Sequence, residues 1–155
     1  MPASQAFAMR LIRTCSSAPC SATTADVMAR YFRAAGITHI FGLPGGQNIE
    51  FMEAARREGL EFILARREGT AALMADAAGQ LTGLPGVCMS TLGPGATNMV
   101  NGVANAFLDR SPMIAVSGQL ATRLASTFTH QNVDQQALFT PISKWATRIG
   151  PDDAA

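Results

Sequence analysis

Short apolar runs alternate with longer segments of helical pattern through most of the chain. The runs are four to six residues long, almost uninterrupted, and bounded by glycine, proline or small polar residues, which is typical of buried strands. The predicted strands are residues 38–41, 60–65, 86–91 and 112–117. Unbroken apolar runs predict burial on both faces, as in a parallel sheet.

Helical patterns fill the segments around these strands. The predicted helices are residues 24–35, 48–58, 70–81 and 97–108. Thr24 and Asn48 are candidate N-caps, and Gly36, Gly59 and Gly83 stand where three of the helices should end. Alternation of strands and helices predicts βα crossovers, so we expect an α/β fold built on a mostly parallel sheet.

The loops after the predicted strands share an unusual composition. Residues 42–47, 91–98 and 117–119 are rich in glycine, proline and small polar residues, and Glu68 follows the remaining strand, 60–65. In a parallel sheet these segments lie at one edge, where ligands of open α/β sheets bind. Short βα loops of this composition are also ordinary structural turns, so both interpretations stay open.

Glu68 stands where a predicted strand gives way to a helix. With Leu64, Ala71 and Ala72 around it, we expect its carboxylate to be partly desolvated. Desolvation favours the protonated form, which suits a group that holds and shares a proton. The alternative is a solvated glutamate in a first helical turn, where the helix dipole favours an acid.

Composition excludes several classes of protein. The 155 residues are 48% hydrophobic and 15% charged, with a net charge of +1, so one folded domain is expected without a nucleic-acid or membrane partner. No apolar run approaches the roughly 20 residues of a membrane span. Three cysteines form no disulfide framework, which favours the cytoplasm. The two histidines and the cysteines show no metal-site spacing, so we expect no metal ligands.

The ends of the chain differ from its middle. Residues 1–22 are rich in serine and alanine, carry two arginines and no acid, and are interpreted as a disordered or non-homologous extension. An organellar transit peptide has a similar composition and remains the alternative. We expect residues 23–150 to form the domain and residues 151–155 to be a short tail.

The glycine-rich loop at 93–98 has part of a dinucleotide-binding fingerprint. Its third glycine is missing, no acid stands near Ser117 to bind a ribose, and Pro94 lacks an amide that could face phosphate. Nucleotide binding is therefore disfavoured. A loop of this kind better suits the close approach of a flat ring to the backbone, because glycine has no Cβ.

Taken together, four motifs resemble one family in their order and spacing. They are FGLPGG at 41–46, REGTAA at 67–72, STLGPGATN at 90–98 and SGQ at 117–119. The chain resembles the N-terminal, pyrimidine-binding domain of thiamine diphosphate-dependent enzymes, and among them acetolactate synthase-like proteins. The resemblance implies a doubly wound sheet with helices on both faces.

The resemblance also implies a site. Glu68 would hydrogen-bond a ring nitrogen of the cofactor's aminopyrimidine, driving the tautomerisation and ylid formation that precede attack on a 2-oxo acid such as pyruvate. The implied cofactor-binding positions are Pro44, Gly45, Gly46, Glu68, Thr91, Pro94, Asn98 and Gln131. Gln119 matches the last position of the SGQ motif.

Two departures weaken any assignment of the product. Arg67 stands where close family members carry histidine, and its guanidinium would oppose protonation of Glu68 unless it points to solvent. His130-Gln131-Asn132 replaces the Phe-Gln-Glu of acetolactate synthases. Other 2-oxo acid decarboxylases and carboligases therefore stay open, and His130 is either an acid–base group facing substrate or an exposed loop histidine.

The resemblance leaves half of the family's site outside this sequence. The central domain and the diphosphate-binding domain that holds Mg²⁺ have no counterpart here, so we expect this chain alone to be inactive. A flavin requirement stays open. Expected partners are a second copy or a diphosphate-binding domain of another chain, seated on an apolar edge that contains Leu43, Met89, Leu92 and Met99. The alternative is a truncated, non-catalytic remnant or an interaction module that pairs with a full-length relative.

Overall fold

Four parallel strands in the order β2-β1-β3-β4 form the centre of the molecule in a computed structural model that describes residues 22–121 and 130–150. The strands are β1 (His39–Gly42), β2 (Glu61–Leu64), β3 (Gly86–Ser90) and β4 (Met113–Ser117). β1 pairs with β2 and β3, and β3 also pairs with β4. All four strands predicted from the sequence are present, each within one residue at either end.

Five α-helices precede, connect or follow the strands in the described residues. They are α1 (Thr24–Ala34), α2 (Ile49–Arg57), α3 (Glu68–Thr82), α4 (Pro94–Asp109) and α5 (Gln135–Phe139), with 3-10 turns at Gly46–Asn48 and Thr140–Ile142. Thr23, not Thr24, caps α1, since Thr23 and Asp26 form a reciprocal capping box. Asn48 does precede α2, but its side chain makes no capping hydrogen bond.

The helices cover both faces of the sheet. In β3 the side chains alternate, so Val87 and Met89 face one side and Cys88 faces the other. On the first side they pack against α1 and α2 through Ala29, Phe51, Ala54 and Ala55. On the second side Cys88 packs against α3 and α4 through Ala72, Ala75, Met99 and Val103. The doubly wound α/β fold implied by the family resemblance is therefore confirmed.

Helices α3 and α4 approach each other closely. A Cβ on Gly102 would lie 2.5 Å from the Cβ of Ala72, so only glycine fits at this crossing. The buried carboxylate of Asp76 on α3 accepts hydrogen bonds from Asn105 Nδ2 on α4 at 2.8 Å and from Gln80 Nε2 at 3.0 Å. Small residues and this polar link hold the two helices side by side.

The two outer strands are less buried than the sequence indicated. Every residue of β3 is buried, as predicted. Phe62 and Ile63 of β2 are only half-buried, and Leu64 is 68% exposed, because β2 lies at an edge of the described sheet. β4 lies at the other edge and is also partly exposed. The apolar runs predicted strands correctly but did not distinguish a central strand from an outer one.

No helix in residues 22–121 and 130–150 is long and apolar enough to cross a membrane. Residues 1–21 of the predicted N-terminal extension and the tail at 151–155 lie outside the described residues.

Candidate functional site

The loops that follow β1 and β3 meet at the carboxyl edge of the sheet, and the region between them is called the crevice. These strands are neighbours, but α2 leaves β1 on one face of the sheet and α4 leaves β3 on the other. Such a switch point is where ligands bind in open α/β sheets. The Leu43 amide donates to the Met89 carbonyl at 3.3 Å and continues the pairing to the mouth of the crevice.

Thr91 lies at the centre of this crevice. Its Oγ1 donates to Oε1 of Gln47 at 2.8 Å, which joins the β1 and β3 loops. A Cβ on Gly45 would lie 2.7 Å from the Cβ of Thr91, and a Cβ on Gly95 would lie 2.8 Å from its Cγ2. Both glycines are therefore required for the loops to close around Thr91, and they leave backbone bare beside it.

Glu68 is the first residue of α3 and is half-buried beside the same loops. Its Oε2 accepts a hydrogen bond of 2.6 Å from Nδ2 of Asn98, in the first turns of α4. Its Oε1 lies 3.5 Å from the position that a Cβ of Gly95 would occupy. The carboxylate thus has one oxygen bound and the other beside the bare backbone of the glycine-rich loop.

The surroundings of Glu68 match the sequence prediction only in part. Ala71 and Ala72 are fully buried behind it, as expected. Leu64 does not enclose it in the manner predicted, since Leu64 is 68% exposed at the end of the outer strand. Arg67 is exposed and extended immediately before α3, which is consistent with a guanidinium that points to solvent.

The backbone of Gln131 contacts the glycine-rich loop at Gly93. It has a left-handed φ of 67°, and a Cβ on Gly93 would overlap its carbonyl. Gly93 has a φ of 59°, so glycine is favoured there for both its conformation and the lack of space. Gln131 and the neighbouring His130 are exposed. Segment 130–132 therefore rests on the glycine-rich loop at the rim of the crevice.

The remaining positions implied to bind the cofactor lie on the same loops but are exposed to solvent. Pro44, Gly46 and Pro94 are exposed, and a Cβ on Gly46 would meet nothing within 4 Å. Pro94 occupies the first position of α4, where its fixed φ and missing amide are tolerated. The structure therefore brings Gly45, Glu68, Thr91 and Asn98 into one constellation, with Gln131 at its rim and these three residues on its outer surface.

Sequence reasoning missed several polar residues of this edge. Gln47 bridges to Thr91, and Ser117 Oγ donates to Gln135 Oε1 in a short contact that ties β4 to α5. Gln135 Nε2 also donates to the Gly118 carbonyl at 3.0 Å. Asn48 is 3% exposed, and its Nδ2 has no partner within the described part of the chain. Only their position in or next to the strand-end loops could have indicated them.

The prediction that Met89, Leu92 and Met99 form an exposed apolar edge is wrong. Met89, Leu92 and Met99 are at most 2% exposed, because they fill the core beneath the loops. Leu43 is half-buried. The exposed large apolar side chains lie instead mainly on the helices and near the end of the chain, and include Leu73, Leu81, Phe107, Leu108 and Trp145.

The polar groups at this edge of the sheet differ from those of a metal site. In the residues that the structure describes, no cluster of three or more acidic, histidine or cysteine side chains could hold a metal ion. The crevice offers a carboxylate, an amide, a hydroxyl and glycine backbone. Such a set suits a flat, nitrogen-containing ring rather than a magnesium-bound diphosphate.

Comparison with known proteins identifies the class. The family model for the N-terminal TPP-binding domain of thiamine pyrophosphate enzymes matches residues 22–138. The chain therefore belongs to this family.

Its relatives include acetolactate synthases. The probable acetolactate synthase large subunit of Methanocaldococcus jannaschii is 43% identical over 120 residues, which cover 77% of this chain and 20% of that protein. The acetolactate synthase of Bacillus subtilis is 41% identical over 114 residues, covering 74% of this chain and 20% of that protein. The acetolactate synthase isozyme 2 large subunit of Escherichia coli is 39% identical over 112 residues, which cover 72% of this chain and 20% of that protein. The chain thus spans about a fifth of the length of these relatives.

The residues present fit the pyrimidine half of thiamine diphosphate. Gly95 packs closely on the Thr91 methyl group, and the position of its missing Cβ lies 3.5 Å from Oε1 of Glu68, so bare backbone stands near this oxygen. A planar ring that lies against this backbone would present its edge to a carboxylate oxygen. The described residues supply no corresponding set for a metal ion.

Proposed function

We propose that this chain supplies the aminopyrimidine half-site of an acetolactate synthase-like enzyme that acts on 2-oxo acids such as pyruvate by decarboxylation and carboligation. The single observation that carries the proposal is the carboxylate of Glu68, half-buried at a helix start, with Oε1 beside the bare backbone of Gly95. The names and identities of the relatives support the choice of reaction class.

Glu68 has the chemistry for a proton relay. Thiamine diphosphate, when bound, supplies the nucleophilic carbon that attacks the carbonyl of a 2-oxo acid. In the proposed role, Oε1 of Glu68 exchanges a proton with a ring nitrogen at the edge of the pyrimidine. Half-burial beside Ala71 and Ala72 limits the access of water that would otherwise compete for this proton.

The loops would orient the ring. Thr91 and Gln47 hold the β1 and β3 loops together, and Gly45 and Gly95 allow the ring to approach the backbone on either side of Thr91. Pro44, Gly46 and Pro94 would contact the cofactor or the partner from the exposed surface of the same loops. Gln131, held over Gly93, would close one side of the pocket.

A second protein surface would complete the site. The diphosphate and Mg²⁺ would be held by a diphosphate-binding domain of another chain, in a homo-oligomer or in a complex with a separate subunit. Three cysteines without a disulfide framework favour action in the cytoplasm. Without the second surface we expect no catalysis by this chain alone, since charge-assisted contacts to the diphosphate normally dominate such affinity.

Complementation tests this function. The 155-residue chain would be combined with a Bacillus subtilis acetolactate synthase from which the N-terminal domain has been deleted, and acetolactate formation from pyruvate would be measured. We expect activity that requires both proteins and thiamine diphosphate. If the two proteins form a stable complex that binds the cofactor but turns over no 2-oxo acid, the chain is the non-catalytic module of the alternative interpretation.

A further inference from the structure

The side-chain amide of Asn98 donates a hydrogen bond to the carboxylate of Glu68. We propose that Asn98 is a positioning residue that fixes the carboxylate of Glu68 by holding Oε2, so that Oε1 alone is presented to the ligand. This inference rests on the proposed role of Glu68, and it differs from a role for Asn98 in lining the pyrimidine pocket.

The contact between the two side chains is set by the backbone. The hydrogen bond from Asn98 Nδ2 to Glu68 Oε2 is 2.6 Å long, although 30 residues separate the partners in sequence. A Cβ on Gly69 would lie 3.0 Å from the Asn98 carbonyl, so the first turn of α3 packs directly on α4. Together with the close crossing at Gly102, this packing fixes the distance between the two side chains.

The amide is the partner that holds Glu68 in the described structure. No other side chain in residues 22–121 and 130–150 donates a hydrogen bond to this carboxylate. A glutamate has three side-chain torsions, and a half-exposed one would otherwise sample several rotamers. An asparagine amide donates without carrying charge, so it orients the carboxylate without neutralising it. The ligand-facing oxygen, Oε1, lies toward Gly95 and stays free for proton exchange.

Two variants remove the donor in different ways. Asn98→Leu replaces the amide by an apolar group of similar size, whereas Asn98→Asp keeps its shape and replaces the donor by a second acceptor. Asn101→Leu is the matched control, because Asn101 is exposed on the same helix. If Asn98 only fills space, the aspartate variant should behave like the wild type. If it positions Glu68, both Asn98 variants should release the carboxylate.

The first measurement needs no cofactor. Scalar couplings of the Glu68 side chain would be recorded by NMR in the intact chain. We expect a single rotamer in the wild type and in Asn101→Leu, and couplings averaged over several rotamers in Asn98→Leu and Asn98→Asp. Replacement of Glu68 by alanine should move the Asn98 side-chain amide resonances upfield, whereas Glu50→Ala should not. Unchanged couplings in both Asn98 variants would overturn the inference, whatever the function of the site.

The second measurement uses the complemented enzyme. Loss of orientation should lower kcat by roughly 10- to 100-fold in both Asn98 variants and change KM for thiamine diphosphate much less. A pocket-lining residue would instead raise KM with little effect on kcat, and that result would contradict the positioning role. Failure of all complementation would count against the proposed function alone, since the NMR result stands without it.

Discussion

The hydroxyl of Thr91 donates to Oε1 of Gln47 at 2.8 Å, across the point where the strand order of the sheet reverses. The two residues belong to loops that follow neighbouring strands, and 44 positions separate them. The bond therefore fixes the width of the crevice beside Glu68. It also explains how loops without regular structure can hold a defined shape at a candidate site.

Removal of this bond should loosen the crevice without unfolding the domain. We expect Thr91→Val to lower the free energy of unfolding by about 0.5–1.5 kcal/mol, the usual net value of one hydrogen bond. Thr91→Ser keeps the hydroxyl and is the control for the bond. Urea unfolding of both variants measures the difference. Equal stabilities of the valine and serine variants would show that the hydrogen bond contributes nothing to the fold.

A methyl group at Gly95 should obstruct the ligand position. Its Cβ would lie 2.8 Å from Thr91 Cγ2, so Gly95→Ala has to displace the Thr91 side chain at the centre of the proposed ring site. We expect KM for thiamine diphosphate in the complemented enzyme to rise by about tenfold or more, equivalent to about 1.4 kcal/mol. Asn101→Ala is the control, since Asn101 is exposed on the same helix and outside the proposed site. Similar KM values for the two variants would place the ring elsewhere.

Helix packing behind the site should depend on Gly102. A Cβ there would lie 2.5 Å from the Cβ of Ala72, and both helices would have to move apart. Overpacking of this kind typically costs about 1–3 kcal/mol, so Gly102→Ala should unfold at lower urea concentration despite the better helix propensity of alanine. Asn101→Ala on the exposed face of the same helix should be nearly neutral. A stabilised Gly102→Ala variant would contradict the close crossing of α3 and α4.

Cys88 should make stability sensitive to alkaline pH. Burial raises the pKa of its thiol from 9.0 to about 12. The native state holds the thiol proton of Cys88 more tightly than the unfolded state does. The contribution of this difference to the free energy of unfolding is therefore fully present below pH 9 and is lost as the pH rises from 9 to 12. Unfolding free energy should fall in this window by up to about 1.4 kcal/mol per pH unit more than in Cys88→Ala. Identical pH dependence of the two proteins would show that the native thiol ionises freely.

The sequence predicted the strands and helices well because each has its own local signal. Apolar runs marked the strands, and glycines marked several helix ends, so these elements were predicted to within a few residues, whereas the short helix α5 and the 3-10 turns were not predicted. Strand order and edge position had no such signal, which is why Leu64 was expected to be enclosed and is 68% exposed. Tertiary packing has no local signal either, so Met89, Leu92 and Met99 were predicted at an exposed edge although they fill the core.

The candidate site could be predicted only in part for the same reason. Glu68 and the glycine-rich loop stand out locally, since a carboxylate at a strand–helix junction and clustered glycines are unusual in sequence. Gln47 and Ser117 are ordinary polar residues, and their contacts with Thr91 and Gln135 arise only when the loops meet. The pairing of Asn98 with Glu68 likewise depends on a helix crossing that no local pattern reveals.

The most direct test of the central claim is proton exchange at the C2 carbon of bound thiamine diphosphate. The rate of deuterium exchange would be compared in complemented complexes that contain wild-type chain, Glu68→Gln or Glu50→Gln. Glutamine can still hydrogen-bond a ring nitrogen but cannot share a proton, so exchange in Glu68→Gln should slow by about 10²–10⁴-fold with little change in cofactor affinity. Exchange in Glu50→Gln should match the wild type. Equal rates in Glu68→Gln and wild type would contradict the assignment of Glu68 as the proton-relay residue.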